Sequence, residues 1–165
     1  MDALVRKFDE NHRFTAADIC AMHRSWLSRI YEWAGEYRNV NLTKDGFPFA
    51  TAALVPSLMT RFEREVLARC TPCHSKSRDE VVRALAQVHL ELVLIHPFRD
   101  GNGRIARALS LLMALQAGLP LLDFSLIAGR KKKDYFGAIQ AGLDRNYEWM
   151  GRIFAETIDR SLAAS

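Results

Sequence analysis

The chain has 165 residues, enough for one domain that buries roughly 70% of its unfolded surface. Apolar residues make up 49%, the share of an ordinary globule, and no run of them approaches the roughly 20 residues that span a bilayer. Twenty-three Lys and Arg against 19 Asp and Glu leave a net charge of +4, too modest to indicate a nucleic-acid binder. Neither a membrane nor a direct nucleic-acid partner is therefore expected. Met1-Asp2-Ala3-Leu4-Val5-Arg6 opens with an acid and lacks a long apolar core, so no signal peptide is expected. The expected location is the cytoplasm of a bacterium, with export as an effector left open. Three cysteines, an odd number, suit a reducing compartment.

Thr15 is placed to cap a helix that runs to about Trp33 and ends at Gly35. Within it Met22, Trp26, Ile30 and Trp33 recur at helical spacing and are expected in the core. From Val40 to Ala50 the pattern changes. Val40, Leu42, Phe47 and Phe49 alternate around Thr43-Lys44-Asp45-Gly46, and Asp-Gly is a hairpin-turn signal. A lone hairpin leaves an exposed edge. It is either a simple connecting turn or a place where an extended segment of a target adds as a strand.

Pro56 opens a helix to about Ala68, with Leu58, Phe62 and Val66 turned inward. The loop Cys70-Thr71-Pro72-Cys73-His74 then matches the spacing of c-type haem attachment. Haem would need export and a second axial ligand, and zinc would need a fourth ligand, so an incidental loop pair is the reading. Ser77-Arg78-Asp79-Glu80 reads as a capping box for a buried helix to Ile95, with Val81, Leu85, Val88 and Leu92 along one face. Pro97 stops it. The helical pattern resumes from Arg104 to Ala117 and ends at Gly118 and Pro120. A short apolar connection, Leu121 to Ala128, leads to helices at Asp134–Leu143 and Tyr147–Leu162. The basic run Arg130-Lys131-Lys132-Lys133 is either a solvated helix start or a docking patch for an acidic target or for phosphates. The fold class is all-α, a mainly helical bundle with a small β-hairpin, expected as a single domain over residues 1–165.

Between the third and fourth predicted helices stands His96-Pro97-Phe98-Arg99-Asp100-Gly101-Asn102-Gly103-Arg104-Ile105-Ala106-Arg107. Gly101 and Gly103 permit a tight turn and close approach of a ligand. The turn runs straight into a helix N-terminus, whose free amides and dipole favour an anion. Arg104 and Arg107, three residues apart, share a helix face and can clamp phosphate oxygens. Asp100 is a hard oxygen ligand of the kind Mg2+ takes together with substrate phosphates. Asn102 can donate to a phosphate oxygen. His96 can accept a proton near neutral pH. Together they suit a hydroxyl deprotonated by His96 and a nucleotide phosphate held for in-line displacement.

This string resembles the signature of the Fic family, His-Pro-Phe-x-Asp/Glu-Gly-Asn-Gly-Arg-x-x-Arg, at every fixed position. Trp33-Ala34-Gly35-Glu36-Tyr37-Arg38 is similar to the segment that precedes the family's flap, and Gly46-Phe47-Pro48-Phe49-Ala50 to the flap itself. The resemblance implies the Fic fold and transfer of AMP from ATP to a hydroxyl of a target protein, with Mg2+ as cofactor. It implies His96 as general base and Asp100 as metal ligand. Gly101, Asn102 and Gly103 become a phosphate nest, Arg104 and Arg107 the clamp on the β- and γ-phosphates, and Phe98 the anchor of the loop. It also implies a base pocket after the motif helix, where Tyr135 and Tyr147 are the candidates. Gly46, Phe47, Pro48 and Phe49 are the expected target-docking flap. Doc-like kinases, the alternative, usually carry another residue in place of Gly103; a non-catalytic nucleotide- or partner-binding module is the other alternative. Many similar proteins carry an inhibitory Ser/Thr-x-x-x-Glu-Gly/Asn helix. Here only Ser28 has a Glu four residues on, at Glu32, and Trp33 follows it. The expectation is a toxin whose small antitoxin chain supplies a Glu opposite Arg107.

Overall fold

The structure, a computed structural model, describes residues 8–129 and 131–164. It is mostly helical, with one small antiparallel hairpin on the described chain, as expected. Helix α1 spans Ala16–Leu27. Its capping box is complete: Asp18 N donates to Thr15 Oγ1 at 3.1 Å and Thr15 N to Asp18 Oδ2 at 3.0 Å. Glu63 accepts a further orphan amide, from Ala16, at 2.7 Å.

The helix ends at Leu27, well before Trp33. The reason is tertiary. Gly35 N donates to His23 Nδ1 at 2.8 Å, whereas a continuous helix would set those residues about 18 Å apart. The chain turns back instead, and Gly35 takes φ +84° where a Cβ would lie 2.8 Å from Arg24. The expected core stripe dissolves accordingly. Met22 is buried, but Trp26 and Ile30 are 42% and 68% exposed.

Strands β1 (Thr43–Lys44) and β2 (Phe47–Pro48) pair Thr43 with Pro48 and Lys44 with Phe47. Asp45 and Gly46 both have positive φ, 51° and 79°, the requirement of a type I′ turn. Helix α2 (Val55–Phe62) continues through a π-helical stretch, Glu63–Leu67, into Ala68–Cys70. The Cys70–His74 loop is packed down: Phe14 N donates to the Thr71 hydroxyl, and the His74 ring meets the Glu10 carbonyl at 2.6 Å. Burial pushes the Cys73 thiol up to about 11.

Helix α3 (Arg78–Ile95) is the axis of the bundle, with Leu85, Val88, Leu90 and Leu92 buried and α4 (Asn102–Gln116) and α6 (Glu148–Ala163) packed against it. Ser77 flanks α3 as expected, but its hydroxyl makes no cap. Ser75 bridges Ser77 and Glu80 instead, accepting from Ser77 N at 3.1 Å and donating to the Glu80 carboxylate, so the N-cap amide is satisfied and the box is not closed. A short turn at Ser125–Ala128 leads to α5 (Lys132–Ala141). Among the described residues no helix is long and apolar enough to cross a membrane.

Candidate active site

The site begins where α3 stops. His96 is its left-handed C-cap, φ 52°, ψ 59°, with its amide still bonded to Leu92 O at 3.0 Å. Pro97 disfavours a right-handed helical conformation at His96, and the left-handed one costs a non-glycine residue about 1 kcal/mol. Arg38 holds it there. This guanidinium, 2% exposed, donates from Nε to His96 O at 2.6 Å and from Nη2 to Ile95 O at 3.3 Å, satisfying the last carbonyls of α3. Its other bonds reach Val40 O at 2.7 Å and Ala50 O at 2.5 Å, on either side of the hairpin. One side chain therefore ties the flap to the end of the helix that carries His96.

The His96 Nδ1–H donates to Val93 O at 3.0 Å, so Nε2 is left as an acceptor. Phe49 stacks on the ring at 3.6 Å. Burial, aided by the positive charges of Arg38 and Lys44, lowers the His96 pKa to about 4 against the opposing pull of Val93 O and Asp100. At neutral pH the imidazole is an uncharged base.

Phe98 is fully buried and stacks on His23 at 3.8 Å. Because His23 Nδ1 accepts from Gly35, its Nε2–H donates to Asp100 O at 3.1 Å. A residue of α1 thus fixes the loop from below. Asn102 departs from the reading of its side chain as a phosphate donor. It is 3% exposed and both ends of its amide are spent on Phe98, Oδ1 accepting from N and Nδ2 donating to O, each at 2.8 Å. What Asn102 and Gly103 offer an anion is their backbone amides, which make no hydrogen bond among the described residues. Helix α4 starts at Asn102, earlier than the apolar pattern implied, so these amides are its first turn.

Gly101 needs to be glycine: its φ is +81°, and a Cβ would lie 3.1 Å from Leu27 and 3.3 Å from Trp26. Gly103 needs only emptiness, since a Cβ there would meet the Arg107 guanidinium alone, at 3.6 Å. Arg104 donates to Asp100 at 3.0 Å and lies over the Trp26 ring. Arg107 makes no ion pair among the described residues.

These groups open on a cavity of ≈ 390 Å³. Among the described residues, Lys44, Arg99, Arg104, Arg107 and Lys132 give it five cations against the single carboxylate of Asp100. Ile127, Ile139, Phe136 and Tyr135 add an apolar and aromatic lining to the same cavity. The lining suits a molecule that carries several negative charges and a flat apolar group. Among the described residues no cluster of three or more His, Cys, Asp or Glu could hold a metal alone. A lone carboxylate beside an anion site fits Mg2+ carried in on phosphates, which needs only one or two protein carboxylates.

Tyr135 is at the cavity, its hydroxyl donating to buried His89 Nε2 at 2.8 Å. Tyr147 is not. Its hydroxyl donates to Glu91, in a separate cavity of ≈ 250 Å³ lined by Pro48 and Ala50, the alternate residues of the hairpin strand to Phe47 and Phe49. The basic run also divides: Lys131 pairs with Glu156, Lys132 lines the main cavity, and Arg130 lies outside the described residues.

A sequence model described as the Fic/DOC family matches residues 13–114, from the cap of α1 through most of α4. The chain belongs to the Fic/DOC family. Among relatives of this Fic/DOC chain, "Protein adenylyltransferase VbhT" of Bartonella schoenbuchensis is 31% identical over 112 residues, 68% of this chain and 22% of VbhT. "Protein adenylyltransferase Fic" of Culex quinquefasciatus is 28% identical over 155 residues, 93% of this chain and 29% of that protein. The chain therefore spans less than a third of the length of these two relatives. The N-terminal FIC domain of Bep8 from Bartonella sp. 1-1C shares the fold at a TM-score of 0.78 and 22% identity, over 98% of this chain and 82% of that one. BepC of Bartonella tribocorum, solved with bound AMPPNP, matches at a TM-score of 0.73 and 26% identity, over 94% and 80%.

Three residues that position the Fic/DOC site, Arg38 and His23 by bonding the motif loop and His89 by bonding Ser110 and Tyr135, carry no signal in their own spacing. Arg38 stands in the segment before the flap, yet its four carbonyl partners are scattered from Val40 to His96. His23 reads as one more position on a helix, and His89 as a polar interruption of an apolar face.

Proposed function

We propose that this chain transfers AMP from Mg-ATP to a hydroxyl side chain of a target protein. The observation that carries the reading is an uncharged His96, its Nε2 free to accept, on the wall of a cavity with five cations and a glycine-flanked helix N-terminus. His96 Nε2 takes the proton of the target hydroxyl as its oxygen attacks the α-phosphorus. The bond from the α-phosphorus to the bridging oxygen breaks, and pyrophosphate leaves. Arg104, Arg107 and the amides of Asn102 and Gly103 hold the β- and γ-phosphates in line. Asp100 would hold Mg2+, which supplies charge neutralisation on the phosphates when bound. Tyr135 and the apolar wall receive the adenine. The flap, Gly46 to Phe49, pairs with an extended segment of the target and presents its hydroxyl toward His96. The names of VbhT and Fic and the AMPPNP in BepC support the same chemistry.

The test is label transfer with ATP labelled at the α- or the γ-phosphate, Mg2+ and cell lysate, with His96→Ala as control. AMP transfer predicts labelled protein from α-labelled ATP alone, lost in the mutant. Label from γ-labelled ATP alone would instead make the chain a Doc-like kinase. A His96→Ala protein that still binds nucleotide while wild type transfers nothing would favour the binding module.

Arg107, which makes no ion pair among the described residues, supports a regulatory reading as well. A small antitoxin chain inserting a Glu opposite Arg107 would displace the γ-phosphate and silence a toxin. Expression of the chain alone should arrest growth, and a catalytically active protein that leaves growth untouched would contradict this.

A further inference from the structure

Arg104 does not stand free in the cavity. Its guanidinium lies 4.2 Å from the centroid of the Trp26 ring, while Nη2 donates to Asp100 Oδ2 at 3.0 Å. Trp26 comes from the last turn of α1, far earlier in the chain, and remains 42% exposed. An aromatic ring on a helix surface has no packing reason to stay there. It touches the motif loop as well, since a Cβ on Gly101 would lie 3.3 Å from it. The ring is therefore wedged between the turn that forms the anion site and the arginine that faces it.

The two contacts on Arg104 differ in what they survive. The Asp100 carboxylate is the group assigned to Mg2+, and an oxygen drawn to the metal no longer holds Arg104. The face of Trp26 is indifferent to the metal. It also suits a guanidinium, whose flat, weakly hydrated surface stacks on aromatic rings while its edge keeps its N–H groups for oxygens. Arg107 has no such platform among the described residues.

We infer that Trp26 is a positioning residue for the nucleotide: its ring keeps Arg104 over the anion site once Asp100 turns to the metal. The inference rests on the functional reading above, and it makes Trp26 act on the β- and γ-phosphates alone. A cation–π contact at a partly exposed site is worth about two- to fivefold in affinity.

Calorimetric titration of the purified chain with Mg-ATP and, separately, with AMP tests it. Trp26→Leu should weaken Mg-ATP two- to fivefold and leave AMP unchanged, because AMP lacks the phosphates that Arg104 holds. Trp26→Phe should keep most of the affinity. In an Arg104→Ala background Trp26→Leu should cost nothing further. Equal losses for Mg-ATP and AMP would make Trp26 a general structural support and overturn the inference, as would undiminished Mg-ATP binding in Trp26→Leu. Additive losses in the double variant would overturn it too. A wild-type chain that binds neither ligand overturns the functional reading and this inference together, whereas failure in the variants alone overturns only the inference.

Discussion

At His96 a left-handed backbone, a buried cation and a stacked ring meet. Each has a chemical consequence. The left-handed conformation ends α3 at His96, Val93 O fixes the tautomer, and burial keeps the ring uncharged. A general base limits the rate only when it is protonated. With its pKa lowered to about 4 in the ligand-free protein, the acid limb of kcat/KM should lie near that value, and kcat/KM for AMP transfer should hold nearly constant from pH 7.5 to 5.5. An initial-rate profile checks this. A fall centred near 6.5, the value of a solvated histidine, would show that the ring is exposed in the working enzyme. The motif residues were legible because they lie together in sequence and each has a distinct chemistry. Asn102 was legible in place but not in use: an amide suits a phosphate and a buried carbonyl equally, and only the fold decides between them.

Among the elements, those specified by near neighbours were the readable ones. The cap at Thr15, the Asp45-Gly46 turn and the stop at Pro97 each depend on a few adjacent residues. The end of α1 depends on a bond from Gly35 to His23, and the Ser77 amide at the start of α3 is taken by Ser75 rather than by Glu80. Such choices between equivalent partners leave no periodic trace. The hairpin offers a way to separate flap from core. A Cβ at Gly46 would meet nothing within 4 Å, so substitution there is resisted only by φ +79°. Gly46→Val should therefore cost roughly 1–2 kcal/mol in the turn while α3, α4 and the wall of the cavity from Asp100 to Arg107 stay intact, Lys44 and Phe49 being the hairpin's own share of the lining. The expected outcome is nucleotide affinity near wild type with transfer to the protein target reduced several-fold. Equal loss of nucleotide binding and transfer would mean that the flap is part of the nucleotide site rather than a docking edge.

At the scale of the molecule, buried histidines join helices that share no local sequence signal. His89 on α3 is fully buried. Ser110 on α4 spends its proton on Ala106 O, so it accepts from His89 Nδ1–H at 3.1 Å, and Tyr135 on α5 donates to Nε2 at 2.8 Å. His23 bridges α1 to the motif loop in the same manner. Both rings are held neutral chiefly by burial, His89 with its pKa lowered to about 3 and His23 with its pKa also lowered. These shifts tie stability to acid. Below about pH 6.5 the unfolded chain takes up protons on His23, His89 and His96 that the folded protein refuses. Stability is thus complete above that pH and falls as pH drops toward 4, by up to about 1.4 kcal/mol per pH unit for each of His89 and His96, with His23 adding in the same direction. Urea unfolding at pH 7.5, 6 and 5 should show the decline. His89→Gln, whose amide can bond both Tyr135 and Ser110, should start from a different stability but decline less steeply, because one of the refused protons has gone. An unchanged slope in that variant would mean that His89 is protonated in the folded protein; the bond to Tyr135 would then have to run the other way, Nε2–H donating to its hydroxyl, while Nδ1–H still donates to Ser110.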